Sequence, residues 1–225
     1  MEHRVTAVLV AAGSSTRMGF DKLSFDLGGE TVLERSVRAF DECPEVDELV
    51  IVTGASSENA QRAAARCKKP VRLVKGGSTR AESARSGVAA AHGRLVAVHD
   101  AARPFVSQSV IADTIAAAAR CGAAAPAVPV KDTIKTVAED GAVTGTPDRS
   151  TLRAVQTPQV FEADLLKAAL QSALENEVPV TDDCSAVERL GKVVYLIDGD
   201  EENLKITTPV DLVIAEAILA EREGR

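Results

Sequence analysis

Arg17 and Lys22 follow the very small residues Ala11, Ala12 and Gly13, and this combination could handle phosphate. Small residues let a ligand approach the backbone closely. Successive N–H groups in such a turn form an anion-binding nest, and the two side chains add full positive charge. A triphosphate suits that set better than a single carboxylate does. The stretch matches neither of two common nucleotide loops. It lacks G-x-x-x-x-G-K-[ST], which argues against a P-loop ATPase or GTPase. It also lacks G-x-G-x-x-G, because Ser15 and Met18 stand where glycines are needed. The plainer alternative is a tight strand-to-helix turn with solvated cations.

Further polar groups follow other apolar runs. Val74 is followed by Lys75-Gly76-Gly77-Ser78-Thr79-Arg80-Ala81-Glu82-Ser83, where glycines admit a planar ligand and hydroxyls and amides can read a base edge. Val98 is followed by His99-Asp100-Ala101-Ala102-Arg103-Pro104, and Val130 by Lys131-Asp132-Thr133. An acidic turn and then Lys205 come after Ile197. Asp100 can help hold a divalent cation or accept from a substrate hydroxyl. Arg103 can grip a phosphate at two points or pair with a carboxylate. Each residue has a blander role: Arg80 and Arg103 as helix-end ion pairs, Asp132 and Asp182 as caps, His99 as a packed, hydrogen-bonded histidine, Thr157-Pro158 as a turn. Ligands of open α/β sheets bind beyond the carboxyl ends of the strands, and a shared place at that edge favours a site.

Alternating elements must position these groups. Val5 to Val10 has the composition of a buried parallel strand. Leu33, Val37 and Phe40 share one helical face, so Thr31 to Phe40 is predicted helical. Strands are expected at 49–52, 71–74, 95–98 and 123–130, with helices at 57–67, 80–91 and from a Ser107 cap to 119. Such alternation indicates βαβ units on a parallel sheet. It breaks after Val130, where Asp140-Gly141 is a hairpin signal. This predicts a β-arm, about residues 132–155, that packs on a second subunit or folds back on its own domain. Helices at 162–174 and 182–190, a strand at 193–197 and a last helix from Thr208-Pro209 to about Glu221 complete the expected single domain, 1–225.

Composition narrows the function. The 225 residues are 45% hydrophobic but only 3% aromatic, so the core must be aliphatic. A formal net charge of −7 argues against a general nucleic-acid binder and confines any phosphate site to a local cationic cluster. Cys43, Cys67, Cys121 and Cys184 form no C-x-x-C, and three histidines give poor material for zinc. No run approaches a membrane span and no signal segment precedes the first strand, so a cytoplasmic protein is expected.

Together these stretches resemble the 2-C-methyl-D-erythritol 4-phosphate cytidylyltransferases, over essentially the whole chain. The carriers are Ala11 to Arg17 with Lys22, Gly76-Gly77 through Arg80 and Ser83, His99 to Pro104, Asp132-Thr133, Gln156 to Gln159, Thr181-Asp182, and Lys205-Ile206-Thr207. Ser78 departs from the family pattern, where an acidic residue is common. The resemblance implies a Rossmann-like α/β fold of nucleotidyltransferase type, a mostly parallel sheet flanked by helices, with the β-arm making a homodimer. It implies CTP and 2-C-methyl-D-erythritol 4-phosphate as substrates and pyrophosphate as a product. Mg²⁺ would be held mainly through the CTP phosphates, with Asp100 as a candidate ligand. By the family pattern Ala11, Ala12, Gly13, Arg17, Lys22, Gly77, Arg80 and Ser83 bind CTP. Asp100, Ala101, Arg103, Thr133, Arg149, Thr157, Thr181 and Lys205 serve the polyol phosphate, Thr133 and Arg149 from a partner's arm. Arg17, Lys22, Arg149 and Lys205 are the catalytic cations. The rivals are a ribitol 5-phosphate cytidylyltransferase, which Ala101-Ala102 fits less well, and a nucleotide-binding module without chemistry.

Overall fold

The computed structural model describes residues 4–13, 21–54 and 57–224. Strands β1 (Val5–Ala11), β2 (Glu48–Thr53), β3 (Val71–Lys75) and β4 (Leu95–Asp100) alternate with helices α1 (Val32–Asp41), α2 (Glu58–Ala65) and α3 (Arg80–Ala89). β1 pairs in parallel with both β2 and β4, and β2 with β3. Helix α4 (Gln108–Cys121) then leads to β5 (Ala123–Pro129). The helix starts are written in the sequence. Thr31 with Glu34 and Thr79 with Glu82 make reciprocal capping boxes, Ser107 caps α4, and Gly122 ends it at φ 84°.

Successive residues of β1 feed opposite faces, as strand geometry requires. Leu9 joins Leu33, Phe40, Ile51 and Ile111 in one aliphatic layer, and Val8 joins Val50, Val96, Phe161 and Leu166 in the other. The central strands β1, β2 and β4 are thus buried on both faces, which leaves their ends as the places a ligand can reach.

The second half departs from the parallel expectation. Residues 132–155 begin as the expected arm, a hairpin of β6 (Thr136–Val137) and β7 (Val143–Gly145) turning through Gly141 at φ 86°. The arm's last residues do not stay in it. β8 (Arg153–Val155) returns to pair antiparallel with β5. β9 (Gln159–Glu162), not anticipated as a strand, lies antiparallel between β4 and β5. Its four residues carry no period-two pattern because Gln159, Val160 and Phe161 are all buried. β8 and β9 run along the same edge of β5, interrupted by Gln156, Thr157 and Pro158. That break brings Thr157 beside the end of β4. Helices α5 (Ala163–Glu175) and α6 (Asp183–Arg189), strand β10 (Tyr195–Asp198) and helix α7 (Pro209–Glu223) follow. The order across the sheet is β10-β5-β9-β4-β1-β2-β3, with β8 beside β5. No helix among the described residues is long and apolar enough to cross a membrane.

Gly87 shows how tightly α3 lies on the sheet. A Cβ there would come 2.4 Å from Val8 Cγ1 and 2.7 Å from Val52 Cγ2. An alanine in an open helix gains up to about 1 kcal/mol over glycine. Gly87→Ala is instead expected to lose about 1–3 kcal/mol to overpacking, measured by urea unfolding. A gain in stability would contradict the packing of α3 described here.

Candidate active site

Asp100 is the last residue of β4, 8% exposed, and three cationic side chains gather near it. Arg80, the first residue of α3, donates from Nε to Asp100 Oδ1 at 3.2 Å. Lys205 donates from Nζ to Oδ2 at 2.6 Å. Burial alone would raise the Asp100 carboxyl, but Arg80 and Lys205 outweigh it and hold this group well below the usual carboxylate range. Arg80 also donates from Nη2 to Asp183 Oδ2 at 2.8 Å. Burial opposes the Arg80 charge, and the two carboxylates more than restore it. Arg103 donates from Nη1 to the Asn203 carbonyl at 2.6 Å, while its buried Nε has no partner among the described residues.

Behind Asp100 the polar groups interlock. His99 Nε2 lies 3.1 Å from the Arg103 carbonyl, which can only accept, so Nε2 carries the hydrogen. Nδ1 then accepts from the Thr157 hydroxyl at 3.0 Å. That hydroxyl oxygen takes the Asp100 N–H at 3.1 Å. Burial pushes His99 down to about 4, so its ring is neutral at pH 7. It is the packed, hydrogen-bonded histidine of the bland reading. Asn203, fully buried, donates to the Thr157 carbonyl at 2.9 Å and to Gln156 Oε1 at 3.2 Å. The Ile206 N–H reaches the Ala102 carbonyl at 2.9 Å. Lys22 Nζ donates to the Ile206 carbonyl at 2.8 Å, so the segment around Lys205 also receives the cation of the opening loop.

Ala12 and the glycine loop are neighbours. A Cβ on Gly76 would stand 2.5 Å from the Ala12 Cβ, so the pairing needs a glycine there. The Gly77 N–H donates to Ser83 Oγ at 3.2 Å. Gly13 and Gly77 are exposed, and Ala11 and Ala12 partly so. Arg17 lies outside the described residues.

The structure thus gathers Lys22, Arg80, Asp100, Arg103, Thr157 and Lys205 at one end of the sheet. Ala101 lies behind them, fully buried, with its N–H on the Val10 carbonyl and its own carbonyl taking the Ser36 hydroxyl. Thr181 is exposed and bonded to Ser185 beside the start of α6. Thr133 and Arg149 are exposed on the arm, where Arg149 Nη1 donates to the Lys131 carbonyl at 2.5 Å. Among the described residues, no hydrogen bond or ion pair joins either of them to the Asp100 group. Sequence reasoning passed over Asp183, Asn203 and the side chain of Gln156. The available signal was a polar Gln156-Thr157-Pro158-Gln159 run leading into apolar residues, and a second acid beside Asp182.

A family model described as 2-C-methyl-D-erythritol 4-phosphate cytidylyltransferase matches residues 5–221. The chain belongs to this family. A member from Symbiobacterium thermophilum is 47% identical over 221 residues, covering 96% of this chain and 93% of its own. Another, from Caldanaerobacter subterraneus subsp. tengcongensis, is 45% identical over 96% of this chain and 98% of its own. The crystal structure of 4-diphosphocytidyl-2C-methyl-D-erythritol synthase from Anaerococcus prevotii superposes with a TM-score of 0.89 at 32% identity, covering 97% of each chain. The family's name specifies a phosphorylated polyol and a cytidylyl group.

His99 makes this framework sensitive to acid. The unfolded chain takes a proton on His99 near pH 6.5, the folded one only near 4. Stability from this group is therefore complete above about pH 6.5 and is lost as pH falls towards 4, by at most about 3 kcal/mol. His99→Gln is expected to flatten that part of the stability profile, followed by denaturant unfolding from pH 7 to 4.5. An unchanged slope would mean that His99 takes up its proton at the same pH in the folded and unfolded chains.

Proposed function

We propose that this protein is an enzyme that joins CTP to 2-C-methyl-D-erythritol 4-phosphate, giving 4-diphosphocytidyl-2-C-methyl-D-erythritol and pyrophosphate for isoprenoid precursor synthesis. The single observation that carries the reading is family membership over nearly the whole chain, 5–221. The site geometry agrees with it. An acceptor-phosphate oxygen attacks the α-phosphorus of CTP; the new P–O bond forms as the bond to the β-phosphate oxygen breaks, and pyrophosphate leaves with those electrons. The nucleophile is already an anion, so positioning and charge stabilisation supply most of the catalysis.

In this proposal Lys22 and Arg17 stabilise the charge that builds at the α-phosphate, as donors to developing charge do generally. Ala11, Ala12, Gly13, Gly77 and Ser83 form the cytidine and phosphate cradle. Asp100 accepts from polyol hydroxyls, and Lys205 turns from Asp100 to the acceptor phosphate. Arg103 and Thr181 line the same side, with Thr157 orienting the Asp100 amide. Both Asp100 oxygens are engaged by Arg80 and Lys205. Among the described residues, no group of three or more His, Cys, Asp or Glu could hold an ion. Mg²⁺ would be held mainly through the CTP phosphates, with Asp100 as the candidate protein oxygen once Lys205 has turned away.

The working form in this proposal is a cytoplasmic homodimer. Thr133 and Arg149 reach the partner's site from the arm, and Arg149 and Lys205 position the attacking phosphate from opposite subunits. Support comes from the arm itself. Val137 and Val143 are each 60% exposed, and an isolated two-stranded ribbon is marginal in water.

Lys22→Ala is expected to lower kcat at least ~10²-fold with the fold intact, measured as pyrophosphate release at saturating substrates. Turnover like that of the native enzyme would remove Lys22 from the chemical step. Mixed dimers of Arg149→Ala and Lys205→Ala subunits are expected to regain activity that neither parent has, because one of the two sites is then intact. No recovery would contradict the shared site.

A further inference from the structure

Asp183 belongs to none of the assignments above, yet it is a carboxylate held inside the protein beside the site. It is fully buried. Oδ2 takes the Arg80 Nη2 donor at 2.8 Å, while Oδ1 is buried with no hydrogen-bond partner among the described residues. Its backbone is equally fixed. The N–H groups of Asp183 and Cys184 both donate to Gln159 Oε1 at 3.0 Å, and Gln159 Nε2 returns a bond to Asp182 Oδ2 at 2.7 Å. Gln159 is itself buried in β9. The start of α6 is therefore tied to the sheet, and Asp183 cannot follow Arg80 elsewhere without leaving a buried charge unpaired.

Arg80 is held from both sides. Asp183 takes Nη2, and Asp100 Oδ1 lies 3.2 Å from both Nε and Nη2. Beyond Asp100 stands Lys205, so four side chains form a line of alternating sign: Asp183, Arg80, Asp100, Lys205. Burial raises the Asp183 carboxyl and the Arg80 guanidinium opposes that rise; with Asp183 ionised by this contact, the line carries no net charge. A guanidinium already between two carboxylates offers a triphosphate little further attraction, but it fixes the orientation of the carboxylate it touches. We propose that Asp183 is a positioning residue that holds Arg80 against Asp100, so that Arg80 serves the acceptor half of the site rather than the nucleotide. This assignment rests on the functional reading above and deepens it. When Lys205 leaves Asp100 for the acceptor phosphate, Arg80 and Asp183 keep the carboxylate ionised and aimed at the polyol hydroxyls.

The test measures Asp183→Asn and Arg80→Lys with each substrate in turn. The first substitution keeps the volume of the side chain and removes its charge. The second leaves an ammonium that cannot span both carboxylates. Each variant is expected to raise the KM for methylerythritol 4-phosphate about tenfold or more. The KM for CTP, and the Kd for CTP measured by calorimetry, are expected to stay within about twofold. The double variant is expected to do little more harm than either single one, because both act on one contact. A merely structural role would lower the folded fraction and kcat without dividing the two KM values. CTP affinity falling as much as acceptor affinity, or both KM values unchanged, would overturn the assignment. If Asp183→Asn does not fold, Arg80→Lys carries the same comparison, at a side chain that is 30% exposed in the native protein. A native enzyme that binds CTP but ignores methylerythritol phosphate would count against the functional reading. Loss of CTP affinity in either variant would count against the positioning role alone.

Discussion

A carboxylate that must stay ionised at the end of a buried strand is the constraint around which this site is built. Asp100 has little access to water, and burial alone would raise its carboxyl and favour the neutral form. Arg80 and Lys205 prevent that from opposite sides. Each brings distant chain with it: Arg80 the first turn of α3, Lys205 the segment before α7. Removing either partner leaves the buried Asp100 carboxylate with less compensation for its burial, at a cost to folding. Such a cost ties the site's geometry to the stability of the fold. The same residue is held through its backbone by Thr157, whose hydroxyl is in turn oriented by His99. Side chain and main chain of Asp100 are thus fixed independently.

The arrangement divides the cations. Arg80 is committed to carboxylates and Arg103 to the Asn203 carbonyl. Lys22 and Lys205 reach Ile206 and Asp100 respectively through Nζ, on stems long enough to move. Arginine's fixed fork suits the framework, and lysine's mobile point charge suits a phosphate whose charge changes during reaction. The acidic surface implied by a net charge of −7 leaves this cluster as a local exception.

The alternation of strands and helices through β5 was legible because both periods are strong and the caps are explicit. Thr31, Thr79, Ser107 and Thr208 each open a helix where the sequence indicates. The polar edge was legible for the same reason: Asp100, Arg103 and Arg80 all follow apolar runs. What could not be read was the antiparallel insertion. β9 is short and buried, so it lacks alternation, and its pairing with β4 depends on contacts far apart in sequence. For the same reason the hydrogen bond of Thr157 to His99 and the ion pair of Asp183 with Arg80 stayed hidden, since each joins residues at least 58 positions apart. Ala101, placed at the substrate by resemblance, has its backbone groups used within the fold.

The most direct measurement is pyrophosphate release with Mg²⁺ and CTP, comparing 2-C-methyl-D-erythritol 4-phosphate with ribitol 5-phosphate as acceptor. Release with the former and not the latter is expected, because the chain matches the methylerythritol family from 5 to 221. Release mainly with ribitol 5-phosphate would contradict the assigned acceptor while leaving the nucleotide half intact. Silence with both acceptors, in a protein that binds CTP, would contradict cytidylyl transfer to a polyol phosphate altogether.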